Sequence, residues 1–170
     1  MGERVIENSL THLNSQGEAH MVDVGDKTPT RRSAIASCEI RMNSETLHLL
    51  KSGQIKKGDA FTVAKTAAIL AVKKTPELIP LCHPLALEHI EIRFEDRSSG
   101  DGILIESEVS ATAKTGVEIE AMNGALIAAL TLYDMAKSYD PAMVITNLHL
   151  VQKTGGKSDF IHQSRNPHGK

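Results

Sequence analysis

A chain of 170 residues can bury one good core and is short for two. Its 19 lysines and arginines nearly balance 21 aspartates and glutamates, and a net charge of −2 excludes a surface built to coat a polyanion. With no Trp, two Tyr and three Phe, the aromatic platforms that stack nucleic-acid bases are missing, so any heterocycle must be held by other means.

No apolar run approaches a membrane span and no secretory core is visible; with only Cys38 and Cys82, this reads as a reducing, cytoplasmic setting without a disulfide. The eight histidines are dispersed, with no CxxC, HxxxH or HExxH, so no metal site is expected.

Along the chain, residues 1–32 are polar and aperiodic and read as an amino-terminal arm. A single catalytic domain is expected over 33–160, followed by a polar tail over 161–170 in which His162 and His168 are solvated. Ala36, Cys38, Ile40 and Met42 alternate with polar residues, predicting a half-buried strand with Cys38 in the core. Ser44 is placed to cap a short helix through Leu50, and Asp59 a longer, alanine-rich one running to about Lys74 before Pro76. Ile90, Ile92 and Phe94 alternate in a second strand, and Ser98–Gly102 turns into a third from Ile103 to about Ala113. A long helix follows from near Gly116 to about Lys137, then a last strand over Val144–Val151. Strand, two helices, strand, strand, helix, strand is the order of an α+β, ferredoxin-like split βαβ fold with a helical insertion, its antiparallel sheet packed on helices.

Four segments are unusual for their chemistry. In Leu78–Pro84, prolines at positions 80 and 84 push Ile79 and His83 toward extended backbone, so Cys82 and His83 sit on a stiff connector that presents side chains and does not build a helix. Lys114–Glu120 enters the long helix with Glu118 and Glu120; acids there complement the helix dipole, and as pure acceptors they could also grip the donor edge of a guanine-like ring. Asp134 and Lys137 share a helix face. As a solvated pair they are worth only about 0.2–0.5 kcal/mol, but in a cleft the carboxylate would tune the lysine for proton transfer. Lys153–Ser158 ends like a P-loop, yet Val151 stands where the first glycine is needed and no helix is predicted after it, which rejects a Walker mechanism. Its glycines and lysines can still bind phosphate. Arg31, Arg32, Lys56 and Lys57 are further available cations.

In that order, Leu78-Ile-Pro-Leu-Cys-His-Pro-Leu85, Lys114-Thr-Gly-Val-Glu118, Ala129-Leu-Thr-Leu-Tyr-Asp-Met135 and Lys153-Thr-Gly-Gly-Lys-Ser158 closely resemble the MoaC family of molybdenum cofactor biosynthesis. Leu10–Asn14 and Ala19–Val24 resemble its amino-terminal signature, so the likeness runs from about Leu10 to Phe160. The resemblance implies a lyase that converts 3′,8-cyclo-7,8-dihydro-GTP to cyclic pyranopterin monophosphate and releases pyrophosphate. It implies a homohexamer, a trimer of dimers, with each site between subunits. No resident cofactor or metal is implied; whether magnesium accompanies the triphosphate is left open, and neither nucleic acid nor membrane is a partner.

Carried over by position, Asp134, Lys137 and Lys57 would be catalytic. Leu81, Cys82 and His83 would line the substrate site, Ile119 and Glu120 would meet the pterin end beside Glu118, and Arg32, Lys153 and Lys157 would neutralise the triphosphate. Ile119 stands where the family usually has methionine, a change of packing more than of chemistry. The rival reading is a ferredoxin-like nucleotide-sensing module that binds without catalysis and has no need of Asp134 or Lys137.

Overall fold

The structure is a computed structural model that describes residues 16–162. The Leu10–Asn14 signature and His168 lie outside the described residues.

Strand β1 (Thr30–Arg41) takes in the last three residues of the stretch read as arm, and its Ala34, Ala36, Cys38 and Ile40 are buried as the alternation predicts. Helix α1 (Ser44–Lys51) is capped one residue earlier than expected: Asn43, in extended backbone, accepts the Thr46 amide on Oδ1 at 2.8 Å and leaves Ser44 as the first helical residue. The Asn43 amide donates to Asp140 Oδ2 at 2.9 Å, tying this corner to the far end of the long helix. Asp59 caps α2 (Ala60–Lys73) as predicted, accepting the Phe61 and Thr62 amides at 3.1 Å.

Pro76 does not simply stop that helix. It opens a further turn, α3 (Thr75–Leu78), because a first-turn residue needs no amide donor. Leu78 therefore belongs to a helix, a correction to the reading of the whole segment as non-helical, and extended backbone starts at Ile79 (φ −111°, ψ 105°).

Strands β2 (His89–Asp96) and β3 (Gly102–Ala113), helix α4 (Glu118–Ala136) and strand β4 (Val144–Thr154) complete the predicted order. An unforeseen two-residue strand, β5 (Phe160–Ile161), pairs with Gln152 and Lys153. The sheet order is β2-β3-β1-β4-β5 with every neighbouring pair antiparallel, so β1 and β2 run parallel with β3 between them. That is the split βαβ, and the α+β expectation stands.

Helices α2 and α4 cover one face of the sheet. Ala60, Ala64 and Ala68 of α2, with Ala121, Ala125, Ala128 and Ala129 of α4, are buried. Small side chains permit this close approach. At Gly124 a Cβ would collide with Ser107 Oγ of β3 and come within 2.7 Å of Val72 Cγ2, so α4 lies on the sheet as closely as glycine allows. The outer flank of α4 keeps an apolar stripe in solvent, with Ile119 41 %, Leu126 36 % and Leu130 50 % exposed. On the other face of the sheet Arg93 holds Glu91, Glu106 and Glu108 in a charged network.

Candidate active site

Two adjoining clefts meet at the N-terminal end of α4, sharing Gly116, Glu118 and Lys157. The larger, about 360 Å³, is walled by Leu81, Cys82 and His83 on one side and by Glu118, Ile119 and Glu120 on the other. The smaller is lined by Arg32 at the start of β1, Lys153 at the end of β4, and Gly156, Lys157 and Ser158 of the following loop. The nine residues carried over as substrate-binding thus come from four separate segments and converge here. Backbone stiffness explains one wall: Cys82 and His83 follow Pro80 and precede Pro84, and the Cys82 amide donates to Ile79 O at 3.0 Å.

The electrostatics divide the clefts. Lys153 Nζ lies 3.0 Å from Glu118 Oε1, so a cation and a carboxylate face each other across the mouth of the phosphate-sized cleft. Gly116 makes room for this pair, since a Cβ there would collide with the Glu118 carboxylate. Glu120 is 4 % exposed, and burial, helped by the neighbouring Glu118 charge, pushes its carboxyl above the usual range. Cys82 is pushed up as well, first by burial and then by the Glu120 charge; its sulfur is a thiol packed in the wall, which argues against a nucleophile. Cys38, in the core, is pushed up to about 11 by burial.

Among the described residues no helix follows the Gly-rich loop. Gly155 takes the left-handed φ of +81°, where a Cβ would strike Arg31 O, and the chain turns into β5. The P-loop imitation is therefore a strand-to-strand turn that brings Lys153, Gly156 and Lys157 to one cleft.

Lys57, Asp134 and Lys137 also meet, at the opposite end of α4. Lys57, on the α1–α2 loop, reaches the Asp134 carbonyl at 2.7 Å and Oδ2 at 3.1 Å, while Lys137 Nζ approaches Oδ1 at 2.7 Å. Bonds to both lysines, Lys137 foremost, hold the Asp134 carboxyl below the usual range, and Asp134 in turn raises the Lys137 ammonium. All three side chains are about half exposed, and none lines either cleft. Fifteen residues separate Ile119 from Asp134 on one helix, placing the trio about 22 Å from the cleft within a chain.

The larger cleft has a wall that the reading of the arm as aperiodic missed. Val22, Val24 and Lys27 line it, and Lys114 Nζ fastens the arm through Gly25 O at 2.5 Å. The alternating Val22-Asp23-Val24 was the available signal, too short to stand out in a polar stretch. Arg31 and Lys56, counted among the cations, line neither cleft. His162, expected in a solvated tail, closes β5: its amide donates to Val151 O at 2.7 Å and its ring lies 4.6 Å from that of His149.

Among the described residues, one group, His89, Glu91 and Glu108, brings potential metal-ligand atoms within 4.8 Å of one another. Arg93 Nη1 already sits 2.9 and 3.0 Å from those two glutamates and supplies their counter-charge. No described helix is long and apolar enough to cross a membrane.

One prediction concerns Glu120. A carboxyl whose folded pKa is raised binds its proton more tightly in the native state, so its contribution to stability is intact below the ordinary carboxylate range and is lost as pH rises through the folded value. Glu120→Gln should raise the urea midpoint at neutral pH, with the gain vanishing in acid, and should weaken ligand binding. Parallel urea titrations across pH check the first effect and calorimetry the second.

The split βαβ sheet gathers three cations and a glycine-rich turn beside a buried and a paired carboxylate, a lining with the chemistry to take an anionic group and to accept hydrogen bonds. Residues 21–156 match the MoaC family, and the chain belongs to it. It is 50 % identical over 156 residues, 92 % of either chain, to a protein of Pelotomaculum thermopropionicum named cyclic pyranopterin monophosphate synthase. Proteins of the same name from Herpetosiphon aurantiacus and Listeria monocytogenes are each 51 % identical, over 90 % and 89 % of this chain and 94 % of their own.

Proposed function

We propose that the chain catalyses the formation of cyclic pyranopterin monophosphate from 3′,8-cyclo-7,8-dihydro-GTP, releasing pyrophosphate, as a lyase of molybdenum cofactor biosynthesis in the cytoplasm. The observation that carries this reading is the convergence of cations, carboxylates and a rigid Cys-His wall on clefts matched to the two ends of such a substrate, in a chain half identical to synthases of that name.

In this reading Arg32, Lys153 and Lys157 take the triphosphate, the arginine as a fork and the lysines as mobile point charges. Glu118, released from Lys153 as phosphate arrives, and Glu120 accept from the donor edge of the purine-derived ring, which rests on Leu81 and Ile119. His83 is a fixed donor in the wall. Lys137 and Lys57 pass protons to and from the opening ring and ribose, with Asp134 holding their charge state. A ribose hydroxyl then attacks the α-phosphorus, giving its proton to a nearby base. The new P–O bond closes the cyclic phosphate, the α–β bridge breaks, and the electron pair leaves with pyrophosphate.

Proton-transfer groups about 22 Å from the binding cleft cannot act on the same molecule within one chain. The site is accordingly composite. Two copies related by a two-fold axis and packed along the apolar flank of α4 would run these helices antiparallel, bringing Asp134 and Lys137 of one to Ile119 and Glu120 of the other. Three such dimers form the proposed homohexamer.

Purified protein incubated with the cyclic intermediate should release one pyrophosphate per pterin product formed. Binding of the intermediate with no pyrophosphate above the protein-free control would favour the sensing module and defeat this function.

A further inference from the structure

Among the described residues strand β2 is an open edge of the sheet, eight residues long, without proline in it. Such an edge is a template for pairing unless charge or a bulge blunts it. The Arg97 amide donates to Gly102 O at 3.0 Å, and with the observed register this sets the phase: odd-numbered residues of β2 bond to β3. The amides and carbonyls of Ile90, Ile92 and Phe94 are left pointing outward. Their side chains lie on the helix-covered face, with Ile92 buried, while His89, Glu91, Arg93 and Glu95 alternate on the other face.

That pattern is complementary to itself. Turned antiparallel about Ile92, the strand sets Ile92 against the second copy's Ile92, Ile90 against Phe94, Glu91 against Arg93 and His89 against Glu95. The outward-pointing residues form the hydrogen-bonded pairs, as the phase demands. A slide of two residues in either direction keeps the faces matched but opposes Glu91 to Glu91 or Arg93 to Arg93. Like charges directly opposite disfavour both alternatives.

We propose that β2 pairs with β2 of a second copy in the register centred on Ile92, joining two sheets into one continuous antiparallel sheet. The occupant is a second copy and not an unrelated peptide, because the register that sets the apolar residues against one another also sets Glu91 and Arg93 of each copy opposite the other's Arg93 and Glu91. This contact uses neither the clefts nor the flank of α4, so it stands apart from the composite site.

Within one chain positions 89 and 95 are about 20 Å apart, too far for a disulfide, whereas in this register each lies directly opposite the other's copy in a non-hydrogen-bonded pair. Purified protein carrying both His89→Cys and Glu95→Cys should therefore form a covalent dimer on mild oxidation, resolved on a non-reducing gel and lost with reductant. Either substitution alone should give none, which also controls for Cys82. No covalent dimer from the double variant, or equal cross-linking by a single variant, would overturn the register. Because both positions are on the exposed edge, a circular dichroism spectrum matching the parent should accompany the gel, and the composite site is tested separately by mixing subunits.

Discussion

Lys137→Ala should lower turnover by at least about 100-fold while leaving affinity for the cyclic intermediate close to that of the parent. The lysine is half exposed, stands outside both clefts of its own chain and bonds to Asp134 at 2.7 Å, so in the proposed site its removal takes away a proton carrier and none of the cations assigned to the phosphates. Single-turnover pyrophosphate release alongside equilibrium binding separates these quantities. A variant that turned over normally would remove Lys137 from the chemistry. Asp134→Asn supplies a pH readout. The carboxylate now raises the Lys137 ammonium, so its loss should let the lysine titrate lower and move the alkaline limb of the rate profile toward acid. An unmoved limb would mean that another group sets it.

The second large effect comes from mixing subunits. Lys137→Ala and Glu120→Gln proteins should each be nearly inactive alone, one lacking the proton-transfer half and the other the ring-binding half. Dissociated and reassembled together at equal concentration, they should recover about a quarter of parental activity, since random pairing gives each two-chain site that chance of receiving both intact halves. No recovery despite verified mixing would mean that both halves act from the same chain, contrary to the composite site. A structural role for Glu120 alone would produce no recovery pattern of this kind.

Most of the fold was legible because its signals are local and periodic. Alternation marked β1 and β2, the turn at Ser98–Gly102 marked the start of β3, and Asp59 before an alanine-rich run marked α2. What escaped depended on distant partners or on near-equivalent neighbours. Asn43 and Ser44 are both good caps, and the backbone chose Asn43, whose amide also finds Asp140 almost a hundred residues away. Two-residue β5 has too little sequence to show a period and exists through its pairing with β4. Pro76 reads as a stop signal, and only the start of α3 shows that it can also open a turn.

The site divided along the same line. Chemistry-bearing residues could be named by family motif, but motifs are ordered in sequence and carry no distances. The separation of Glu118 from Lys137 was implicit in the long helix predicted over that stretch, and the unbroken α4 gives it its length. The arm's contribution through Val22 and Val24 is likewise a matter of where a polar segment comes to rest.

That unbroken helix makes length itself a functional dimension. One residue inserted into the middle of α4 would advance its far end by about 1.5 Å and rotate it by about 100°, swinging Asp134 away from Lys57 while the cleft at the near end stayed intact. In the proposed composite site, the residue count between Glu120 and Asp134 therefore sets the span over which two copies must align.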